Sequence, residues 1–222
     1  STLGPSTSDY KTIKSLMIAG VNVFRLNFSH GSHQDHKKSI EIIRSLEIEL
    51  DFQIAILADL QGPKFRIGEV QDKIILKKGH KFVLDQKDVI GDENRVYLSH
   101  KEIYKCVNKD SLILIDDGKI KLEVIKKTSN QIVTQIIDGG TLTSNKGLNL
   151  PNVILETDSL TPKDKKDLKF VLKYNIEWIA ISFVQKLSDV LKVKKIVNNK
   201  AAIISKIEKP SALNELNEII LA

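Results

Sequence analysis

Four apolar runs in this chain each end in a cluster of polar and charged residues, and that arrangement restricts the fold more than any other feature. The first, Val21 to Phe24, leads into Arg25-Leu26-Asn27-Phe28-Ser29-His30-Gly31. The others are Ile54-Ala55-Ile56-Leu57-Ala58-Asp59-Leu60-Gln61-Gly62-Pro63-Lys64-Phe65-Arg66, Trp178-Ile179-Ala180-Ile181-Ser182-Phe183 and Ile203-Ile204-Ser205-Lys206-Ile207-Glu208-Lys209. Alternation along a strand sends Arg25 and Asn27 to one face and Phe24, Leu26 and Phe28 to the other, so the polar groups share a side while the apolar ones pack beneath helices. Polar residues gathered at the C-terminal ends of several parallel strands mark the mouth of a (β/α) barrel.

Helical periodicity separates these runs. Ser8 is the expected N-cap and Gly20 the C′ residue of a first helix with Ile13, Leu16 and Met17 on its apolar face. A second helix follows His33, with Ile40, Ile43, Leu46 and Leu50 spaced to cover the sheet. Thr161-Pro162-Lys163-Asp164 opens another, with an N-cap, a proline at N1 and an acidic N3. Between about Gly68 and Leu155 the helical period vanishes. Short β-rich runs take over: Ile74-Leu76, Phe82-Leu84, Val96-Leu98, Leu112-Ile115, Ile120-Ile125 and Ile132-Ile137, with hairpin turns expected at Asp116-Asp117-Gly118 and Gly139-Gly140. The expected fold class is α/β: a partial (β/α)8 TIM-type barrel with an inserted all-β domain. Residues 1–67 form the first part of the barrel, 68–155 an inserted β-barrel lid domain and 156–222 the second part. Strands near residues 1–4, 21–27, 54–59, 178–183 and 202–207 make about five, where closure needs eight, so the expectation is a fragment of a longer protein.

Composition excludes little beyond this. No apolar run approaches the roughly 20 residues of a membrane span, and the N-terminus lacks the basic-then-apolar layout of a signal peptide. A cytoplasmic protein without membrane contact is expected. The lone Cys106 cannot form an internal disulfide and reads as a small buried residue. The net charge of +6 is spread over Lys-rich helices, and aromatics are only 5%. Stacking residues for a nucleic acid are therefore lacking, and no nucleic-acid partner is expected.

Chemistry is concentrated at the strand ends. Lys206 and Glu208, two apart on a strand, point to one face: the carboxylate suits Mg²⁺ or Mn²⁺, and the ammonium suits a migrating phosphoryl group or a developing oxyanion. An exposed Lys-x-Glu is ordinarily a surface salt bridge, but this one ends an apolar run, Ala202-Ile203-Ile204, expected to be buried. Arg25 and Arg66 offer planar forks for phosphate or carboxylate, although isolated arginines are more often surface ion-pair partners. Asn27, Ser29 and Asp59 are oxygen donors of the kind that hold a monovalent cation. His30, His33 and His36, three apart, allow a zinc reading, which the lack of a neighbouring Cys disfavours. His30 is better placed near a nucleotide, and solvent exposure accounts for His33 and His36. Neither a Walker lysine loop nor a Rossmann glycine triplet is present, so phosphate must be handled by strand-end side chains.

Taken in order, RLNFSHG, DLQGPKFR, KGLNLP (Lys146 to Pro151) and ISKIEK (Ile204 to Lys209) resemble the signatures of pyruvate kinase, and the resemblance runs the length of the chain. It implies phosphoryl transfer from phosphoenolpyruvate to ADP, giving pyruvate and ATP, in glycolysis. It implies that Lys206 stabilises the transition state and, with Arg25, binds phosphoenolpyruvate. Glu208 then binds Mg²⁺, and the nucleotide lies against Asn27, His30, Arg66 and Lys146. Asn27, Ser29, Asp59 and the carbonyl of Leu60 match the family's K⁺ ligands. Lys64, however, falls where K⁺-requiring members tend to carry glutamate, so its ammonium stands in for the ion and K⁺ is not expected to be required. The second metal-binding carboxylate and the proton-delivery groups are expected beyond residue 222. The 222-residue chain alone is expected to be inactive, and the full-length enzyme to be a homotetramer. The rival readings are a metal-dependent carbon–carbon lyase acting through a pyruvate enolate, against which the β insert and KGLNLP argue, and an inactive fragment or interaction module.

Overall fold

The computed structural model describes residues 1–151, 153 and 160–222. Its first segment alternates strand and helix: β1 (Thr2–Leu3), α1 (Tyr10–Ile18), β2 (Val23–Asn27), α2 (His33–Leu50) and β3 (Ala55–Asp59). The second is almost wholly strand: β4 (Phe65–Arg66), β5 (Ile74–Leu76), β6 (Lys81–Asp85), β7 (Arg95–Tyr97), α3 (Lys101–Cys106), β8 (Leu112–Ile115), β9 (Ile120–Lys127), β10 (Gln131–Asp138), β11 (Gly140–Leu142) and β12 (Gly147–Asn149). Alternation then resumes with α4 (Pro162–Val171), β13 (Trp178–Ile181), α5 (Leu187–Val197), β14 (Ala202–Ser205), a 3-10 turn (Pro210–Glu215) and α6 (Leu216–Leu221). No helix among the described residues is long and apolar enough to cross a membrane.

These elements make two compact units. The first comprises Ser1–Pro63, Asp158–Glu208 and Ala212–Ala222, the second Lys64–Thr157 with Lys209–Ser211. The junction expected at residues 155 and 156 lies outside the described residues.

In the first unit a five-stranded sheet runs in the order β1-β2-β3-β13-β14, every pair parallel. With helices between its strands, it is a partial TIM-type barrel. Alternation along β2 works as the pattern requires, with Phe24, Leu26 and Phe28 buried and Arg25 and Asn27 only partly so. Their core partners include Ile13, Met17, Ile40, Ile43 and Leu46 from α1 and α2. Two local expectations need correction. The N-cap of α1 is Asp9, whose carboxylate accepts from Thr12 N at 3.0 Å, not Ser8; a carboxylate at a helix N-terminus also meets the positive end of the dipole. Ala202-Ile203-Ile204 is not a buried strand either, because β14 is an edge of this sheet and Ile204 keeps 38% of its surface exposed.

The N-terminal ends of β3 and β13 are held by a charged staple. Arg44 NH1 donates to Ile54 O at 3.1 Å and its NH2 to Asn175 O at 2.9 Å and Glu177 Oε1 at 2.8 Å. Pairing of β3 with β13 starts at Leu57↔Trp178, so the N–H of Ile56 lies just before that ladder, and it donates to Glu177 Oε2 at 2.6 Å. Glu177→Ala is expected to destabilise the fold by about 2 kcal/mol, since an N–H and a guanidinium both lose a charged acceptor. Urea unfolding measures this, and a loss under about 0.5 kcal/mol would show that water replaces the carboxylate.

The second unit has a seven-stranded sheet, β4-β12-β8-β9-β10-β6-β7, and a two-stranded ribbon, β11-β5. All pairs are antiparallel except β6 with β7. Its own core includes Phe82, Leu84, Val96, Ile113, Ile115, Ile120 and Leu122. Asp116-Asp117-Gly118 does turn β8 into β9, all three residues at positive φ. Gly139-Gly140 is not a hairpin: the chain leaves β10 there to pair with β5 instead. A Cβ on Gly139 would lie 2.2 Å from Leu76 O, so glycine is needed for close backbone approach. The six-residue α3 also interrupts a region expected to be strand throughout.

Candidate active site

The C-terminal ends of β2, β3, β13 and β14 bring Arg25, Asp59, Ser182, Lys206 and Glu208 into one hydrogen-bonded group. Asp59, 4% exposed, is its hub. Arg25 donates to Asp59 Oδ2 through Nε at 2.8 Å and NH2 at 2.6 Å. Lys206 Nζ reaches Asp59 Oδ1 at 3.1 Å and Oδ2 at 3.3 Å, and donates to Ser182 Oγ at 2.8 Å. Ser182 in turn donates to Leu60 O at 2.7 Å. Glu208 Oε1 is 3.5 Å from Lys206 Nζ, while Oε2 accepts the N–H of Phe183 at 2.9 Å. Two cations thus share one buried carboxylate, an arrangement that holds their charges close together without leaving either unpaired.

Although β14 ends at Ser205, Lys206 N donates to Ile181 O at 3.0 Å, which prolongs the strand geometry and aims Lys206 at the site. Backbone position, not burial of the strand, places this lysine. The carboxylate of Glu208 is partly exposed and has hard oxygens, so its chemistry fits Mg²⁺ or Mn²⁺. Of the residues expected to hold a monovalent cation, Asp59 is engaged by Arg25 and Lys206, Leu60 O accepts from Ser182, and Asn27 Oδ1 accepts from Ser29 N at 3.0 Å.

A cavity of about 690 Å³ adjoins the end of β2, lined by Thr2, Gly4, Pro5, Asn27, His30 and Asp35 among others. Among the described residues no group of three His, Cys, Asp or Glu side chains is placed to hold a metal ion, and of the two histidines expected to be exposed His33 is exposed but His36 is buried. His36 is stacked on Phe28 with ring centroids 4.2 Å apart, and its Nε2 donates to His30 O at 3.0 Å. Burial holds its pKa below the usual histidine value. His33 is stacked on Phe170 at 4.2 Å and hydrogen-bonds Asp167 Oδ1 at 2.7 Å. Histidine spacing on a helix carries no information about these aromatic and acidic partners, which come from the residue just after β2 and from α4.

In the second unit, pairing of β4 with β12 sets Arg66 opposite Gly147, and Ile67 N donates to Lys146 O at 3.0 Å. Arg66 NH1 donates to Asn145 O at 2.8 Å, and Lys146 pairs with Asp116 at 2.9 Å. Those contacts hold two cationic side chains, one on β4 and one just before β12. Lys64 is exposed.

Sequence reasoning read Asp164 only as the acidic N3 residue of a helix and gave Gly62 no role of its own. Asp164, fully buried, completes the capping box of α4 through Oδ2 and also accepts Gly62 N at 3.1 Å through Oδ1. The capping box was legible; its second duty, fixing the loop after β3, joins residues 102 apart.

The family model "Pyruvate kinase, barrel domain" matches residues 1–222. Among curated relatives, the chain is 43% identical over 220 residues to a pyruvate kinase of Methylorubrum extorquens, covering 99% of this chain and 46% of the relative. It is 40% identical over 222 residues to one of Agrobacterium vitis, at 99% and 46% coverage, and 38% identical over 225 residues to one of Thermococcus litoralis, at 100% and 47%. The chain spans about half the length of the curated relatives it matches. With a family model matched from end to end, this chain belongs to the pyruvate kinase family.

Proposed function

We propose that the full-length protein transfers the phosphoryl group of phosphoenolpyruvate to ADP. The observation that carries this reading is the pairing of Arg25 and Lys206 on Asp59, with Glu208 alongside, at the ends of four parallel strands. Arg25 supplies a fork for the substrate's anionic groups, and Lys206 supplies an ammonium where charge develops as the enol P–O bond breaks. The phosphorus passes to a terminal oxygen of ADP, and the enolate left behind takes a proton at carbon to become pyruvate. Mg²⁺ or Mn²⁺ at Glu208 would add positive charge beside the transferring group. The cavity beside Asn27 and His30 in the first unit supports nucleotide binding there. Within the second unit, Arg66 and Lys146 are two cations of a kind suited to phosphate. A cytoplasmic homotetramer completes the reading. ATP formation from phosphoenolpyruvate and ADP, assayed on the full-length protein with and without Mg²⁺, tests it; no ATP under any metal condition would refute it.

K⁺ is proposed to be dispensable. Of the oxygens matching K⁺ ligands, those of Asp59, Leu60 and Asn27 already have protein donors, two of them cationic at Asp59, and position 64 carries lysine where the resemblance associates a K⁺ requirement with glutamate. Turnover in Tris with saturating Mg²⁺ is expected to change less than about twofold on adding KCl. Lys64→Glu reverses the local charge and is expected to create roughly tenfold activation by K⁺, the equivalent of about 1.4 kcal/mol. Strong K⁺ activation of the unaltered enzyme would overturn the proposal.

A further inference from the structure

We infer that Ser182 is a positioning residue for Lys206, and that the corner formed by Ser182 and Phe183 sets the lysine and Glu208 as one piece. The inference rests on the roles proposed above for those two residues. A lysine has a long, flexible stem and three rotatable donors, so its ammonium needs several fixed acceptors to hold one position. Asp59 is one. Ser182, 4% exposed, is another, and its direction is set: its only proton goes to Leu60 O at 2.7 Å, which leaves a lone pair for Lys206 Nζ at 2.8 Å. Two fixed, close acceptors thereby hold the ammonium, with Glu208 Oε1 farther off at 3.5 Å.

The backbone at this corner is held in a conformation that local preference opposes. Phe183 has φ +57°, a left-handed conformation that a bulky residue rarely adopts. That turn aims its N–H at Glu208 Oε2. The surroundings enforce it. Gly62, at φ +68°, passes so close that a Cβ there would lie 2.9 Å from Ser182 Cβ and 3.0 Å from Phe183 Cδ2, and its own N–H is tied to buried Asp164. Local strain retained by such packing is commonly found where a site must be pre-arranged.

Steady-state kinetics of the full-length enzyme decide the matter. Ser182→Ala is expected to lower kcat by about 10- to 100-fold, with KM for phosphoenolpyruvate within about threefold and the melting temperature little changed. In a Lys206→Met background the same substitution is expected to remove less than about twofold more, because the group it positions is gone. A merely structural serine would lower both backgrounds alike. Ser182→Cys, of similar size but a weaker hydrogen-bonding partner, is expected to lose roughly three- to tenfold and serves if the alanine variant fails to fold. Wild-type turnover in either variant, or the full alanine effect persisting on Lys206→Met, would overturn the positioning role. If Lys206→Met itself stays active, the reading of Lys206 fails and this inference falls with it; if Lys206→Met is inactive while Ser182→Ala is unimpaired, only this inference falls.

Discussion

Lys206→Met in the full-length enzyme is expected to lose about 10²-fold or more in turnover while KM for phosphoenolpyruvate rises only a few fold. Methionine preserves much of the stem's length and removes the charge. Arg25 remains to bind the substrate's anionic groups, so ground-state affinity survives, whereas the developing charge in the transition state loses a donor fixed in advance by Asp59 and Ser182. Coupled assay of pyruvate formation reads both constants. A variant that keeps more than about a tenth of wild-type turnover would remove Lys206 from the chemistry.

Asp59→Asn is expected to act on stability and turnover together. The amide fills the same space but takes the shared carboxylate from Arg25 and Lys206, leaving Lys206 only the longer pair to Glu208 at 3.5 Å. Breaking such a buried pair from one side costs about 3–5 kcal/mol, and here two partners are exposed to it. Turnover should fall by at least about 10²-fold, because neither cation keeps its place. Thermal unfolding and kcat, measured on the same preparation, check the two effects. Near-native melting with at least half the turnover would show that Asp59 is not the hub its contacts describe.

The amino-acid sequence by itself determined the sheet, the β insert and most of the polar groups that meet. Those depend on short-range rules: strand alternation along Val23–Asn27, helical spacing from His33 to Leu50, the capping box at Thr161 and turn residues at Asp116-Asp117-Gly118. Each is decided within a few residues, where steric and hydrogen-bonding preferences act. Local rules also misled where two signals competed. Ser8 and Asp9 are both good caps, and adjacent glycines serve a hairpin as readily as a change of sheet. The spacing of His30, His33 and His36 was visible, but not the aromatic rings stacked on two of them.

Only the tertiary structure decided how the polar groups are partnered. Lys206 reaches Asp59 across 147 positions and Ser182 across 24, Asp164 holds Gly62 across 102, and Glu177 caps Ile56 across 121. Each pair needs strands from different parts of the chain brought side by side before its atoms can meet. Ser182 in particular carries no motif of its own. Its task comes from the carbonyl of Leu60 on one side and the ammonium of Lys206 on the other, placed there by parallel pairing of β3, β13 and β14, a long-range packing outcome that no local pattern encodes.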